Sequence, residues 1–231
     1  PNPVCTNTTG STTITGTASG GTVGGTGIFS SGNINLTIPD DNPAGVSNII
    51  VLPALSIANA GALQVRINAN HSWVGDLRFT LTSPCGTTFL FDRPGLATPT
   101  GCCGNSADLA GVYTFDLSAA TVIPETGGGV IAPGSYRPSD LVGNPHNWAG
   151  LTFPCATLGN WTLTAVDGSL FDVGTLVEWA IIIPSGYTHT LTGPGTITQN
   201  PSSGPNNATG SFTVSGLAPG TYNYTFTSTD A

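Results

Sequence analysis

Apolar and polar positions alternate most clearly within residues 71–95, where Leu77, Phe79 and Leu81 are interleaved with Arg78, Thr80 and Thr82. A period of two belongs to a strand buried on one face. Ser83-Pro84-Cys85-Gly86 follows, with Pro suited to open a turn and Gly to a positive φ behind it. A three-residue loop pairs Leu81 with Phe89 and Phe79 with Phe91. That register is expected, because a two-residue loop sets Leu81 against Thr88 and buries a hydroxyl. Arg78 then faces Asp92 across the strands as an exposed ion pair worth under about 1 kcal/mol. Further short runs predict strands near 33–38, 49–52, 62–68, 77–82, 88–91, 112–116, 161–166 and 176–183. Their density, divided by turn residues and without a helix of three turns, predicts an all-β, two-sheet antiparallel sandwich.

The pattern weakens at both ends. Residues 1–30 are rich in Gly and Thr and read as a leader or an edge strand; 31–184 hold the sandwich; 185–231 read as a short β-rich extension or truncated β-sandwich module. A long Gly- and Pro-rich excursion, 94–159, interrupts the sandwich and contains Cys102, Cys103 and Cys155. Loops of that length carry function or are pinned, and this one is expected to be partly stapled.

Composition narrows the partners. The 231 residues include no Lys, four Arg and 12 Asp plus Glu, for a formal charge of -8, and only 7% are charged. An acidic chain lacks the cationic surface that nucleic acid or an anionic membrane attracts, whereas divalent cations are natural counter-species. No apolar run is long enough to span a bilayer, and no signal-like start precedes Pro1, as in a mature chain or a cut-out piece. Five cysteines fit an oxidising exterior with up to two bridges; their pairing stays open, although a bond between adjacent Cys102 and Cys103 would be strained. The cysteine and histidine spacings do not suit zinc.

Four segments, IPDDNPAGVSN, HSWVGDLRFTLTSPCGT, GNWTLTAVD and GTLVEWAIII, occur in the order in which similar motifs occur in the P domain. That domain follows the catalytic domain of proprotein convertases and is found in many bacterial secreted proteins. The resemblance covers about 31–184 and implies a jelly-roll β-sandwich that is not itself catalytic. The closing strand of the tail is similar to those of small sandwich repeats in bacterial adhesins. Sequence signatures of hydrolases, GTS, GxSxG and HExxH, are absent, and His71 reads as a packed residue.

Bacterial P domains can bind calcium, which takes six to eight oxygens from carboxylates, amides and carbonyls. The resemblance therefore points to Asp76, Asn105, Asp108 and Asp116 as one metal set, and to Asp167 with Asp172 as a second acidic pair. The segment GNSAD and the run TFDL each lack one Asp of the family's acidic loop. Asp40 and Asp41 read as turn formers. Trp161 and Trp179 lie in alternating strands and read as core, while Trp148 sits in a loop. The expected function is a non-catalytic, calcium-stabilised, secreted accessory or surface-assembly module. It would join neighbouring domains or copies of itself, with room for a protein or carbohydrate ligand. Two alternatives are a fibre or surface-layer subunit that adds terminal strands to a neighbour, and the stabilising domain of a secreted subtilisin-like protease.

Overall fold

Turn residues divide the described part of the chain, in a computed structural model, into nineteen strands. The structure describes residues 4–6, 11–17, 27–57, 59–98, 101, 103–183, 187–200 and 209–230. The first strands are β1 (Val4–Thr6), β2 (Thr12–Thr17), β3 (Gly27–Ser30), β4 (Leu36–Ile38), β5 (Asn42–Leu52), β6 (Ser56–Ile57) and β7 (Gln64–His71). Then come β8 (Leu77–Ser83), β9 (Gly86–Asp92), β10 (Leu109–Phe115), β11 (Gly134–Tyr136), β12 (Cys155–Ala156), β13 (Gly159–Asp167) and β14 (Gly174–Ile183). The last are β15 (Tyr187–Thr192), β16 (Thr196–Gln199), β17 (Thr209–Ser215), β18 (Gly220–Tyr222) and β19 (Thr225–Asp230). Two compact units result: Gly27–Ile183, and Pro1–Thr26 together with Pro184–Ala231.

In the larger unit one sheet runs β11-β10-β7-β14-β3 with β4 beside β14, and the other runs β5-β13-β8-β9. All of these pairs are antiparallel except β10 with β11. The chain crosses between sheets from β4 to β5, from β5 to β7 by way of β6, from β7 to β8, from β9 to β10, from β11 to β13 by way of β12, and from β13 to β14. The late strands β13 and β14 lie between early ones, which is the wrapped order of a jelly roll. Alternation supplies the core: Phe79 and Leu81 of β8 and Trp161, Leu163 and Ala165 of β13 meet Val65 and Ile67 of β7 and Trp179 and Ile181 of β14. Each large apolar side chain so buried stabilises the fold by about 1.5–3 kcal/mol. Trp148, though in a loop, is also fully buried.

The hairpin departs from its expected register at the tip. Ser83 pairs with Gly86, so the loop has two residues, and Leu81 faces Thr88. The hydroxyl of Thr88 is buried without a hydrogen bond, a cost of about 1–3 kcal/mol that the sequence-based choice of a longer loop avoids. A bulge that leaves Leu90 as an extra residue then resets the ladder. Phe79 therefore faces Phe91 and Arg78 faces Asp92, as expected. The extra Leu90 is itself fully buried, which offsets the orphaned hydroxyl. The Phe91 ring sits 5.4 Å from Phe79 and 5.8 Å from Phe115 of the opposite sheet.

Of residues 1–30, Gly27–Ser30 pair with β14, while β2 pairs with β17 and β1 with β18. The smaller unit holds its own core of Leu191, Phe212, Val214, Leu217 and Tyr224.

Candidate functional site

The antiparallel pairing sets β7 ending, β8 beginning, β9 ending, β13 ending and β14 beginning at one pole of the sandwich. His71 lies opposite both Leu109 and Gly174, Leu77 opposite Asp167, and Arg78 opposite Asp92. Five ionisable residues are buried there: His71, Asp76, Asp92, Arg93 and Asp167. Burying charge is costly unless each group is paired, and three pairings are found. His71 Nε2 lies 3.1 Å from Asp167 Oδ2, Arg78 Nε donates to Asp92 Oδ1 at 2.7 Å, and Arg93 Nη2 lies 3.6 Å from Asp76 Oδ1. Asp92 is only 5% exposed while the Arg78 side chain is 31% exposed, so the expected surface pair is in fact half inside the protein.

Local sequence explains the placement. The ring of His71 packs flat on β14 because residue 174 is Gly; a Cβ there would lie 2.4 Å from His71 Cδ2. His71 Nδ1 lies 3.0 Å from the Trp73 carbonyl and 3.1 Å from the Trp73 amide, which fixes the ring over the 3₁₀ turn Val74–Asp76. Gly75 in that turn lets the backbone of Cys103 to Asn105 approach, where a Cβ would meet the Cys103 carbonyl oxygen at 2.4 Å. Arg93 has a positive φ of 42°, donates to the Gly101 carbonyl at 2.8 Å and lies against Gly168.

Electrostatics single out Asp76. Burial, reinforced by Asp167 and opposed by Arg93, raises its carboxyl pKa to about 6. Its Oδ1 carries no hydrogen bond. Burial also raises Asp167, against the opposing effects of the Ser169 amide and His71. Beside this cluster, Asp41, Pro43, Arg78, Arg93, Gly101, Val166 and Gly168 line an open cleft of about 320 Å³.

The six residues expected to hold metal are distributed unevenly. Asp76, Asp167 and Asp172 share the ionic pole, and Asp172 accepts from the Ser72 hydroxyl at 2.8 Å. Asn105 lies near, but its Oδ1 accepts the Ala107 amide and its Nδ2 donates to the Pro124 carbonyl. Asp108 is half-buried, its backbone bonded to Gly129 and Ile131. Asp116 lies past the far end of β10, where Phe115 pairs with Val65, and its Oδ1 accepts from Ser118 and Ala119. Seven residues of strand separate it from the ionic pole by roughly 20 Å. Calcium needs six to eight oxygens within 2.6 Å. Among the described residues no three His, Cys, Asp or Glu are so grouped. Most carboxylate oxygens at the pole are engaged by amides, a hydroxyl, the His71 imidazole and two guanidinium groups, and among the described residues they are not gathered into a calcium shell.

Sequence reading missed a second feature of this pole. The loop from Ser169 to Val173 exposes Leu170 by 54%, Phe171 by 90% and Val173 by 66%. Phe171 has a φ of 87°, which a non-glycine residue rarely adopts. The loop is braced on both sides. The Phe171 amide donates to the Asp40 carboxylate at 3.1 Å and the Val173 amide to Ser72 Oγ at 3.3 Å. Asp40 braces the loop and Asp172 lies within it, and among the described residues neither makes an ion pair.

The opposite pole is tied covalently. Cys85, at the hairpin tip, is bonded to Cys155 across 70 residues of sequence with a Cα separation of 5.7 Å. Cys103 is also disulfide-bonded, while Cys102, on which the expectation about adjacent cysteines depends, lies outside the described residues. No helix among the described residues is long and apolar enough to cross a membrane.

No protein-family model matches the chain, and no curated protein matches it. A solved structure that resembles it in part is the crystal structure of the Aeromonas sobria serine protease (ASP) and chaperone (ORF2) complex. The likeness covers 78% of this chain and 26% of that one at 13% identity, with a TM-score of 0.33. At that score the likeness carries no statement about what this chain does.

Proposed function

We propose that the chain is a non-catalytic, P-domain-like module of a larger secreted bacterial system that docks on a neighbouring domain or protein through its ionic pole. The observation that carries this is the braced loop with Phe171 at its tip. A sandwich gains nothing in stability from holding a phenyl ring in solvent on a strained backbone, and strain of this kind is retained where a surface is used. The two acidic residues at the loop, Asp40 and Asp172, select a partner with an apolar pocket and a basic rim, since rim charges steer encounter and fix orientation. The four motifs in P-domain order support the family reading, and the Cys85–Cys155 bond suits an oxidising compartment. Metal has no step in this proposal, because Arg78 and Arg93 already serve as counter-charges within the carboxylate cluster.

A photo-reactive phenylalanine analogue at position 171, carried by the protein as its own host secretes it, tests this reading. Cross-linking to one defined species, absent when the probe replaces Val142 on another exposed loop, supports docking. A crosslink to a protease domain of the same system would identify the stabilising-domain variant of the proposal. No crosslink, or equal yields at both positions, would count against it.

A further inference from the structure

The sheet β5-β13-β8-β9 has two edges that are treated in opposite ways. The β9 edge is sealed: the Ser139 amide donates to the Leu90 carbonyl at 3.1 Å, and Gly86 bridges to Leu151. The β5 edge is open, since β5 pairs only with β13 among the described strands. Protective devices occur only at its start, where Pro43 precedes Gly45 with a φ of 61°. Beyond them, Val46-Ser47-Asn48-Ile49-Ile50-Val51-Leu52 is an uncharged run without Pro or Gly, and Ile49 and Val51 are 52% and 67% exposed. An edge strand of that kind, with every second residue turning its amide and carbonyl outward, is a template for another strand.

We propose that this edge pairs with the same edge of a second copy, joining two four-stranded sheets across a two-fold axis. The self-pairing of the run favours a copy over a foreign strand, and charge restricts where a copy can meet it. The chain carries a formal charge of -8 and Arg66, Arg78, Arg93 and Arg137 are its only Lys or Arg residues. All four are engaged, by Glu178, Asp92, Asp76 and Asn147 respectively. Two such chains repel wherever acidic loops meet, so they can approach only on neutral ground, and β5 provides it. The rows that continue its outer face, Ile49-Thr162-Thr82-Thr87 and Ser47-Thr164-Thr80-Phe89, also carry no charge. The run is self-complementary as well. An antiparallel pairing centred on Ile49 sets Ile49 against itself and Val51 against Ser47 on the outer face, and Val46 against Leu52 and Ile50 against Asn48, whose Oδ1 already accepts from Trp179 Nε1, on the inner face. This surface is separate from the loop at Phe171, so either proposal can fail without the other.

Sedimentation velocity of the intact chain from low to high micromolar concentration tests it. The wild type should shift from monomer to dimer, and Ile49→Lys should stay monomeric throughout with the melting temperature that the wild type has at its lowest concentration. Val51→Lys serves as a second variant, and Phe171→Gly should leave the dimer intact. Under mild oxidation Ile49→Cys should give a covalent dimer, whereas Val51→Cys, displaced from the axis on both strands, should not. A wild type that remains monomeric at the highest concentration, or an Ile49→Lys variant that dimerises as well as wild type, would overturn the proposal.

Discussion

The two poles of the sandwich solve the same problem, closing long loops over strand ends, with different chemistry. At one pole Cys85–Cys155 ties the hairpin tip to the returning chain. Neutral bonds complete that closure: Thr152 donates to the Cys85 carbonyl, Leu55 to the Thr157 hydroxyl, and Trp161 Nε1 to the Thr157 carbonyl. At the other pole the closure depends on buried His71, Asp76, Asp92, Arg93 and Asp167, one carboxylate oxygen has no hydrogen bond, and a phenyl ring stands in water. A covalent staple constrains the unfolded chain and asks for no further partner. An ionic closure stores unfavourable burial in the folded state, which is the usual condition of surfaces kept for use.

The largest test of this contrast is removal of the staple. Cys85→Ser with Cys155→Ser should lower stability by about 4 kcal/mol, from the entropy of freeing a loop of this length. Chemical denaturation reads it, and a loss under 1 kcal/mol would mean that the neutral bonds alone close that pole. Next comes His71→Ala, which strands Asp167 with only the Ser169 amide and should cost about 3 kcal/mol.

Asp76 should behave in the opposite sense. Its folded-state pKa of about 6 lies above its ordinary 3.8. The stabilising contribution of the protonated form is therefore complete below about pH 4 and is lost as pH rises through about 6. Asp76→Asn should raise stability at pH 7.5 by on the order of 1–2 kcal/mol and remove most of the fall between pH 4 and 6. Melts across that window decide it; a destabilised Asn variant at neutral pH would mean that the ion pair with Arg93 outweighs burial. Calcium should move the melting temperature by less than about 1 °C, because most carboxylate oxygens at the pole already have partners, and a rise of several degrees would support the calcium-stabilised alternative. Smallest of all, Phe171→Gly should be neutral within about 0.5 kcal/mol, since relief of the positive φ offsets the added freedom of glycine.

Alternation made the sandwich legible, since each of the eight expected strands overlaps an observed one and Trp161 and Trp179 are core as read. What escaped had a physical cause. The hairpin tip followed backbone closure rather than side-chain preference, at the expense of Thr88, and Leu90 absorbed the difference where no pattern could show a bulge. The ionic pole was half legible: Asp76, Asp167 and Asp172 were named as metal ligands, while the His71 and Arg93 that the structure sets against them were not read as their partners. Arg93 went unnoticed because a positively charged residue after a strand resembles any solvated loop residue. The scarcity of Arg was the available signal, since four cations in a chain of 231 residues are seldom spent on solvent. Phe171 was missed because DGSLFDVG reads only as a turn bounded by two Asp residues, and no pattern shows that the turn between β13 and β14 aims this ring outward.

Amide hydrogen exchange at Phe171 and Val173 tests most directly whether the ionic pole presents a preformed surface. Both amides should exchange well below the free-peptide rate, held by Asp40 and Ser72 although the side chains stand in water, and Asp40→Ala should release Phe171. Exchange at the free-peptide rate in the wild type would contradict a rigid docking loop.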